Sequence, residues 1–388
     1  MVGLCVFCAQ PQIARATPEA WPRALELMAA GQVEAALPLL ERLVSDNPND
    51  KNYRYELAVA LFRLKKYFRA KWQLEQVRGA RLTPEETQMV ENFLAQIAAQ
   101  SEWSGSFEIS IRPQSNVSQK TDVETIDIGG LDFTLNPDAR AEPGVSLQVT
   151  AGLRYTPRIT EKWGAVFSLT TQLSHNKTVS LRDYQVFARA GLQYGADARS
   201  MTSGGVVQGR RWVGDVVYSH TSGLWIEHAR LVGPRGRLDF GGSLGWTRHD
   251  VSLPNSRRAL LSASYSHAIT NNASVTVAGY YERNLGNLPH LSGTRSGLSI
   301  SGLYAWRGGL MTSLDLSQHA DIRNGVEPLF GLRREDSRTA LSATIYHRDL
   351  RIGSFAPMLV MGVEKNRSSI PLARYDNHFL SIGLTRNF

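Results

Sequence analysis

The stretch Thr294-Arg295-Ser296-Gly297-Leu298-Ser299-Ile300-Ser301-Gly302-Leu303-Tyr304-Ala305-Trp306 decides the fold class. Leu298, Ile300, Tyr304 and Trp306 fall on one face and Ser299 and Ser301 on the other, the period of two of a pleated strand. Gly164 to Leu173 repeats the pattern, with Ala165, Phe167, Leu169 and Leu173 opposite Ser168, Thr170 and Gln172. Val186 to Tyr194 does so again, with Val186, Ala188, Leu192 and Tyr194 opposite Arg189 and Gln193. A soluble sandwich also alternates, but its strands are shorter and its polar face looks outward. Working outward from these three runs, fourteen segments are predicted: 105-113, 144-157, 163-174, 183-195, 200-211, 221-232, 237-249, 257-269, 272-284, 294-306, 309-320, 336-347, 354-366 and 376-388. Their length suits tilted strands that cross a bilayer in about 9-11 residues. An even number of such strands closes into an antiparallel transmembrane β-barrel, which leaves no unpaired edge in lipid.

Two further signals agree with a barrel. With the helical part in the periplasm, the predicted external connections hold 30, 8, 9, 7, 9, 15 and 9 residues, and the periplasmic ones 5, 4, 4, 2, 2 and 6. Membrane barrels show that contrast. The last segment ends Ser381-x-Gly383-x-x-Arg386-x-Phe388. It is similar to the polar-x-Gly-x-x-apolar-x-aromatic ending read by the outer-membrane barrel assembly machinery, with Arg386 at the usually apolar place. Ser381, Gly383 and Phe388 are therefore the expected assembly signal.

Residues 17-104 follow a different period. Val33, Ala36, Leu40 and Leu43 recur as Tyr67, Ala70, Leu74 and Val77, 34 residues later, which is the tetratricopeptide spacing. Small Ala36 and Ala70 let helices approach, and Asn47-Pro48 stops the first pair. Thr83-Pro84-Glu85-Glu86 opens a capping box, and the stretch to Gln100 is expected to cover the end of the stack. In such stacks the inner face of each first helix is the usual groove: here Trp21, Leu25 and Met28, then Tyr55, Val59, Phe62 and Arg63. Leu25 and Val59 read as packing. Tyr55, Phe62 and Arg63 are the types that carry interface energy, and Trp21 and Met28 complete the expected partner-binding set.

Residues 1-16 read as a signal peptide without a basic start, so the initiator is expected upstream of Met1. Val2 to Ala9 is the longest clean apolar run, followed by Ala14-Arg15-Ala16, and both cysteines, Cys5 and Cys8, fall inside it. Leu4 and Phe7 precede them where a lipoprotein box needs a small residue. The mature part is expected to start near Thr17. Since a spanning helix needs about 18 or more consecutive apolar residues, helical insertion is excluded.

The net charge of +8 sits entirely in the C-terminal part: 11 Lys and Arg against 12 Asp and Glu over residues 17-104, 31 against 23 from Gly105 onward. These basic residues are scattered singly along strands, which does not suit nucleic acid. The nine histidines are dispersed, with no metal-ligand spacing and no cofactor motif. Asp349 near His347 is the one weak candidate for rim catalysis, against an ordinary turn pair.

The order of parts, an exported start, two tetratricopeptide repeats and a fourteen-stranded barrel, resembles the surface lipoprotein assembly modulator (Slam) family. Local stretches resemble it too: Pro113-Gln114-Ser115-Asn116-Val117, Arg333-Arg334-Glu335-Asp336, Asn366-Arg367-Ser368-Ser369-Ile370, Tyr375, and the terminal Gly383-Leu384-Thr385-Arg386-Asn387-Phe388. Ser369 stands where Asn is expected. The resemblance implies an outer-membrane translocator, not an enzyme and without cofactor, that delivers lipoproteins from the periplasm to the cell surface. Its implied partners are a surface lipoprotein client, a periplasmic chaperone or carrier, the barrel assembly machinery and the lipid bilayer. A polysaccharide exporter or a passive porin with a periplasmic adaptor remains the alternative in the same compartment.

Overall fold

A computed structural model describes residues 19-387, apart from 101, 198, 348, 349, 351, 353 and 354 and the side chains of 98 and 99. The expected leader 1-16 and start near Thr17, Asp349 and Phe388 lie outside the described residues. Five helices come first: α1 (Ala20–Ala29), α2 (Val33–Asp46), α3 (Lys51–Arg63), α4 (Tyr67–Val77) and α5 (Pro84–Gln100). The 34-residue repeat is a packing repeat, because Ala36, Leu40 and Leu43 of α2 and Ala70, Leu74 and Val77 of α4 are all buried in one core. Asp50 caps α3 through Asn52 and Tyr53. The capping box of α5 is formed, with Thr83 N-H on Glu86 and Glu86 N-H on Thr83 Oγ1. Lys51 Nζ reaches Glu86 at 2.6 Å and ties α5 to α3.

Fourteen strands then close into one antiparallel ring. They are β1 (Trp103–Gln114), β4 (Gly144–Tyr155), β5 (Trp163–Asn176), β6 (Asp183–Asp197), β7 (Ser200–Val213), β8 (Val216–Val232), β9 (Gly236–His249), β10 (Ser256–Thr270), β11 (Ala273–Gly286), β12 (Gly293–Ala305), β13 (Leu310–Glu327), β14 (Leu332–His347), β15 (Ala356–Ser368) and β16 (Tyr375–Asn387). A small hairpin, β2 (Thr125–Ile128) and β3 (Leu131–Thr134), decorates the long connection after β1.

Alternation puts the apolar set outside. Leu261 and Leu298, in mid-strand, keep 66% and 62% of their surface exposed. Leu316, Leu341 and Val363 form a cross-strand row on the same outer face. Such a belt is stable only against lipid. At the helical end it is bounded by aromatic pairs, Trp103–Tyr155 with ring centres 4.4 Å apart, Trp163–Tyr194 at 4.9 Å and Tyr304–Trp306 at 4.6 Å. No described helix is long and apolar enough to span a membrane.

The expected contrast in connection length is weaker than the periodicity implied. At the end away from the helices, β7 and β8 join through Gly214 and Asp215 alone, both with positive φ, where nine residues were expected. β13 and β14 likewise run on to Glu327 and from Leu332, leaving 328-331 in place of the predicted fifteen. Backbone pairing continues beyond the lipid belt, whereas hydrophobic alternation stops at its edge.

The ring closes where β16 meets β1, and Gly383 sits where the two strands leave no room for a side chain. A Cβ there would lie 2.4 Å from the Ile109 carbonyl oxygen and 2.6 Å from Ser110 Cβ. Gly383→Val is therefore expected to destabilise closure by about 1-3 kcal/mol or more, read as a lower heat-modifiable fraction on gels. Wild-type folding of that variant would show that the strands can separate without loss.

Candidate functional site

The inward residues of the barrel are polar and joined by ion pairs. Arg258 and Arg295 flank Glu282 at 3.6 and 4.0 Å, Arg295 bonds Asp321 at 2.6 Å, and Arg323 meets Asp321 at 3.2 Å. On the next strands Arg338 approaches Glu364 at 3.7 Å, and the Tyr375 hydroxyl donates to Glu364. Arg189–Glu227 and Arg211–Asp183 continue the pairing on the opposite wall. The charged face noted in the sequence thus forms a lumen in which several cations meet anions across strands.

Two cavities of this lumen lie at different levels. One, of about 730 Å³, lies under the long β1-β4 connection and is lined by Gln119, Arg295, Asp321, Arg334 and Tyr375. The other, of about 600 Å³, opens toward the helical end and is lined by Arg154, Glu227, Arg237 and Asp239. Tyr280 and His319 line both, and the Tyr280 hydroxyl is 3.1 Å from His319 Nδ1. This pair is wall common to both cavities.

The far end of the closing seam is latched by the motif around Asn116. Asn116 N-H donates to Asn377 Oδ1 at 3.1 Å, Asn377 Nδ2 donates to Gln114, and Asn116 Nδ2 reaches the carbonyls of Lys120 and Asp376. Asn116 and Asn377 are almost wholly buried, so these bonds replace water. The same turn carries the connection inward: Thr121 is buried, and Gln119 reaches the upper chamber.

The helices rest on the opposite mouth. Gly79 lies against the Thr270-Asn271 turn, where a Cβ would come 2.3 Å from the Thr270 carbonyl oxygen. Asn271 Nδ2 donates to the Asn49 carbonyl, and α2 contacts the turn 307-309. Glu75 on α4 falls within the field of Arg237 in the lower chamber.

Of the five predicted groove residues, Tyr55, Phe62 and Arg63 lie on α3, whereas Met28 is corrected to a core residue because its side chain is buried and offers a partner no surface. Tyr55 and Phe62 are half-buried and meet Phe93 of α5 edge-on, at 5.9 and 5.2 Å. Arg63 is exposed and donates to the Met28 carbonyl at 2.9 Å. The Met28 side chain is buried in the core, and Trp21 packs on Tyr53 at 4.8 Å. Burial holds the Glu56 carboxyl above its ordinary range, with Arg63 pulling it down, and raises the Tyr55 hydroxyl. Ser381 faces inward and is buried. His347 Nδ1 accepts from Leu350 N-H at 3.2 Å. One important residue was not singled out from sequence: Arg54, fully buried, donates to the Pro48 carbonyl and Gln73 Oε1 and lies over Trp72.

A closed barrel with a lipid-facing belt, a charged lumen and a helical repeat at one mouth is an outer-membrane transport protein of the tetratricopeptide-barrel type. Residues 103-388 match the family model described as surface lipoprotein assembly modifier, and residues 27-88 that of the tetratricopeptide repeat. The chain belongs to the surface lipoprotein assembly modifier family. It is 23% identical to surface lipoprotein assembly modifier 1 of Haemophilus influenzae over 384 residues, covering 95% of this chain and 77% of the relative. The Moraxella catarrhalis surface lipoprotein assembly modifier is 23% identical, with 95% and 72% covered. Modifier 1 of Neisseria meningitidis is 24% identical, with 93% and 74% covered.

Because Tyr280 lines both cavities, Tyr280→Ala is expected to widen the passage between them and raise the conductance of the reconstituted barrel in planar bilayers. An unchanged conductance would place the narrowest level elsewhere.

Proposed function

We infer that this protein moves lipoproteins across the outer membrane to the cell surface. The observation that carries the reading is a polar lumen, framed by a lipid-facing wall, in a chain that matches the modifier family over residues 103-388. A surface lipoprotein has a polar chain and apolar acyl groups, and such a barrel offers a medium to each. Translocation asks for binding and release rather than covalent chemistry, so the residues act as a path and not as catalysts.

In this reading residues 1-16 are the removed leader, 17-104 the periplasmic helical domain and 105-388 the barrel. The helical domain receives a client or its chaperone at Trp21, Tyr55, Phe62 and Arg63, with Met28 left to the core. Aromatic and Arg side chains support that role, since half-buried rings and an exposed guanidinium form the kind of surface that carries interface energy. Ser381, Gly383 and the terminal Phe388 would be read by the barrel assembly machinery.

Deleting the gene and labelling candidate lipoproteins on intact cells tests the function, and display should return with the wild-type chain. Tyr55→Ala combined with Arg63→Ala should lower display while barrel insertion and helicity by circular dichroism persist. Unchanged display would remove the groove from the reading. Topology is tested apart from this: Asn136→Cys, exposed on the long connection, should react with an impermeant maleimide on whole cells. Reaction only after lysis would invert the orientation.

A further inference from the structure

Pro113 stands in β1 with a complete ladder on one side and a broken one on the other. Toward β4 every residue from Trp103 to Gln114 has a partner, Pro113 lying opposite Val145. Toward β16 the pairing runs from Ser106 with Asn387 to Ile111 with Ile382, lapses, and resumes at Gln114 with Phe379. Gln114 is three residues past Ile111, and Phe379 three before Ile382, so the register is the same on both sides. The lapse is not a slip. Proline has no N-H, and the ladder bond that position 113 would donate toward Leu380 cannot form. Beyond it the seam holds again, through Ser115 N-H on the His378 carbonyl at 2.9 Å.

The other irregular places in the ring differ in kind. Between Tyr194 and Asp197, Arg211 and Trp212, Ala268 and Thr270, and Ile322 and Val326, the register shifts. Those are bulges, which keep a seam zipped while they bend it. The lapse at Pro113 removes a bond without adding a residue, and in hydrocarbon no water replaces it.

The chemistry on the two sides of this lapse is also distinct. On the outside Ile111 and Ile382 are 58% and 61% exposed to lipid. Inside, the Arg112 guanidinium lies 3.6 Å from the centre of the Phe379 ring and faces the polar lumen. An apolar exterior, a weakened ladder and a polar interior thus meet at one level of one seam.

We propose that the β1-β16 seam parts at Arg112-Pro113 and Leu380-Ser381 to pass the acyl chains of a lipidated client between lumen and bilayer, while its polypeptide stays among the lumen charges. This rests on the translocator reading above. The lapse lies toward the end of the barrel away from the helices, so acyl chains leaving there enter the leaflet on that side. The Asn116-Asn377 latch is the part of the seam that must open with it.

The test closes the seam by chemistry. Arg112→Cys with Ser381→Cys, treated with a short bis-maleimide on gene-deleted cells producing this chain, should lose display of the client, whereas the untreated double variant is the reference. Ser299→Cys with Ser317→Cys, paired across β12 and β13, should tolerate the same treatment. If the double variant fails to assemble, Pro113→Ala decides: restoring the donor should slow display roughly 5-fold, the factor that one net hydrogen bond of about 1 kcal/mol represents, with heat-modifiable mobility unchanged. Full display through the sealed seam, equal loss from both crosslinked pairs, or wild-type display by Pro113→Ala would overturn the seam while leaving the translocator reading intact. Failure of the wild-type chain to restore display would instead overturn that reading, and the seam with it.

Discussion

Backbone hydrogen bonding in hydrocarbon governs this molecule. Each N-H and C=O inside the membrane must find a partner in the protein, because lipid supplies none. A flat sheet would leave two edges bare, so β1 must reach β16 and the chain must bend fully round. The pleat sets the period of two, and closure turns it into a lipid-lumen alternation, since a ring fixes which side of every strand meets which medium. The lumen charges follow in turn: they are tolerated because an opposite charge sits on an adjacent strand, as with Arg295 between Glu282 and Asp321.

The helical part obeys a different rule. Its stability comes from burying small and branched side chains at 34-residue spacing, and the fully buried Arg54 has Pro48 and Gln73 among its acceptors. The bonds of Arg54 tie α3 to the turn before it and to α4. The aromatic contacts of Phe93 with Tyr55 and Phe62 join the final helix to the second repeat, so the receiving face and the cap of the stack share one cluster.

The architecture was legible from sequence because both periodicities are local. Alternation in Thr294 to Trp306, and the spacing from Ala36 to Ala70, need no knowledge of the rest of the chain. Strand ends were less legible: hairpins such as that joined by Gly214 and Asp215 extend past the lipid belt, where side chains no longer report pairing. The lumen ladder was invisible, since whether Arg258 meets Glu282 depends on register between strands and not on spacing along one. The seam lies between these extremes. Pro113 and Asn116 stand in one short motif, but which neighbour Pro113 fails is decided only when β1 has β4 on one side and β16 on the other.

The helical domain is held to the barrel at two places that face each other across the mouth. It leans on the Thr270-Asn271 and 307-309 turns, and in ring order the first of these lies nearly half a circumference from β1. Only residues 101 and 102 separate the end of α5 at Gln100 from the start of β1 at Trp103. The domain is therefore a beam laid across the opening, with one bearing on the far wall and the other fused to the strand beside the closing seam. Tilting such a beam about its far bearing delivers its displacement to β1, the strand that carries the missing hydrogen bond.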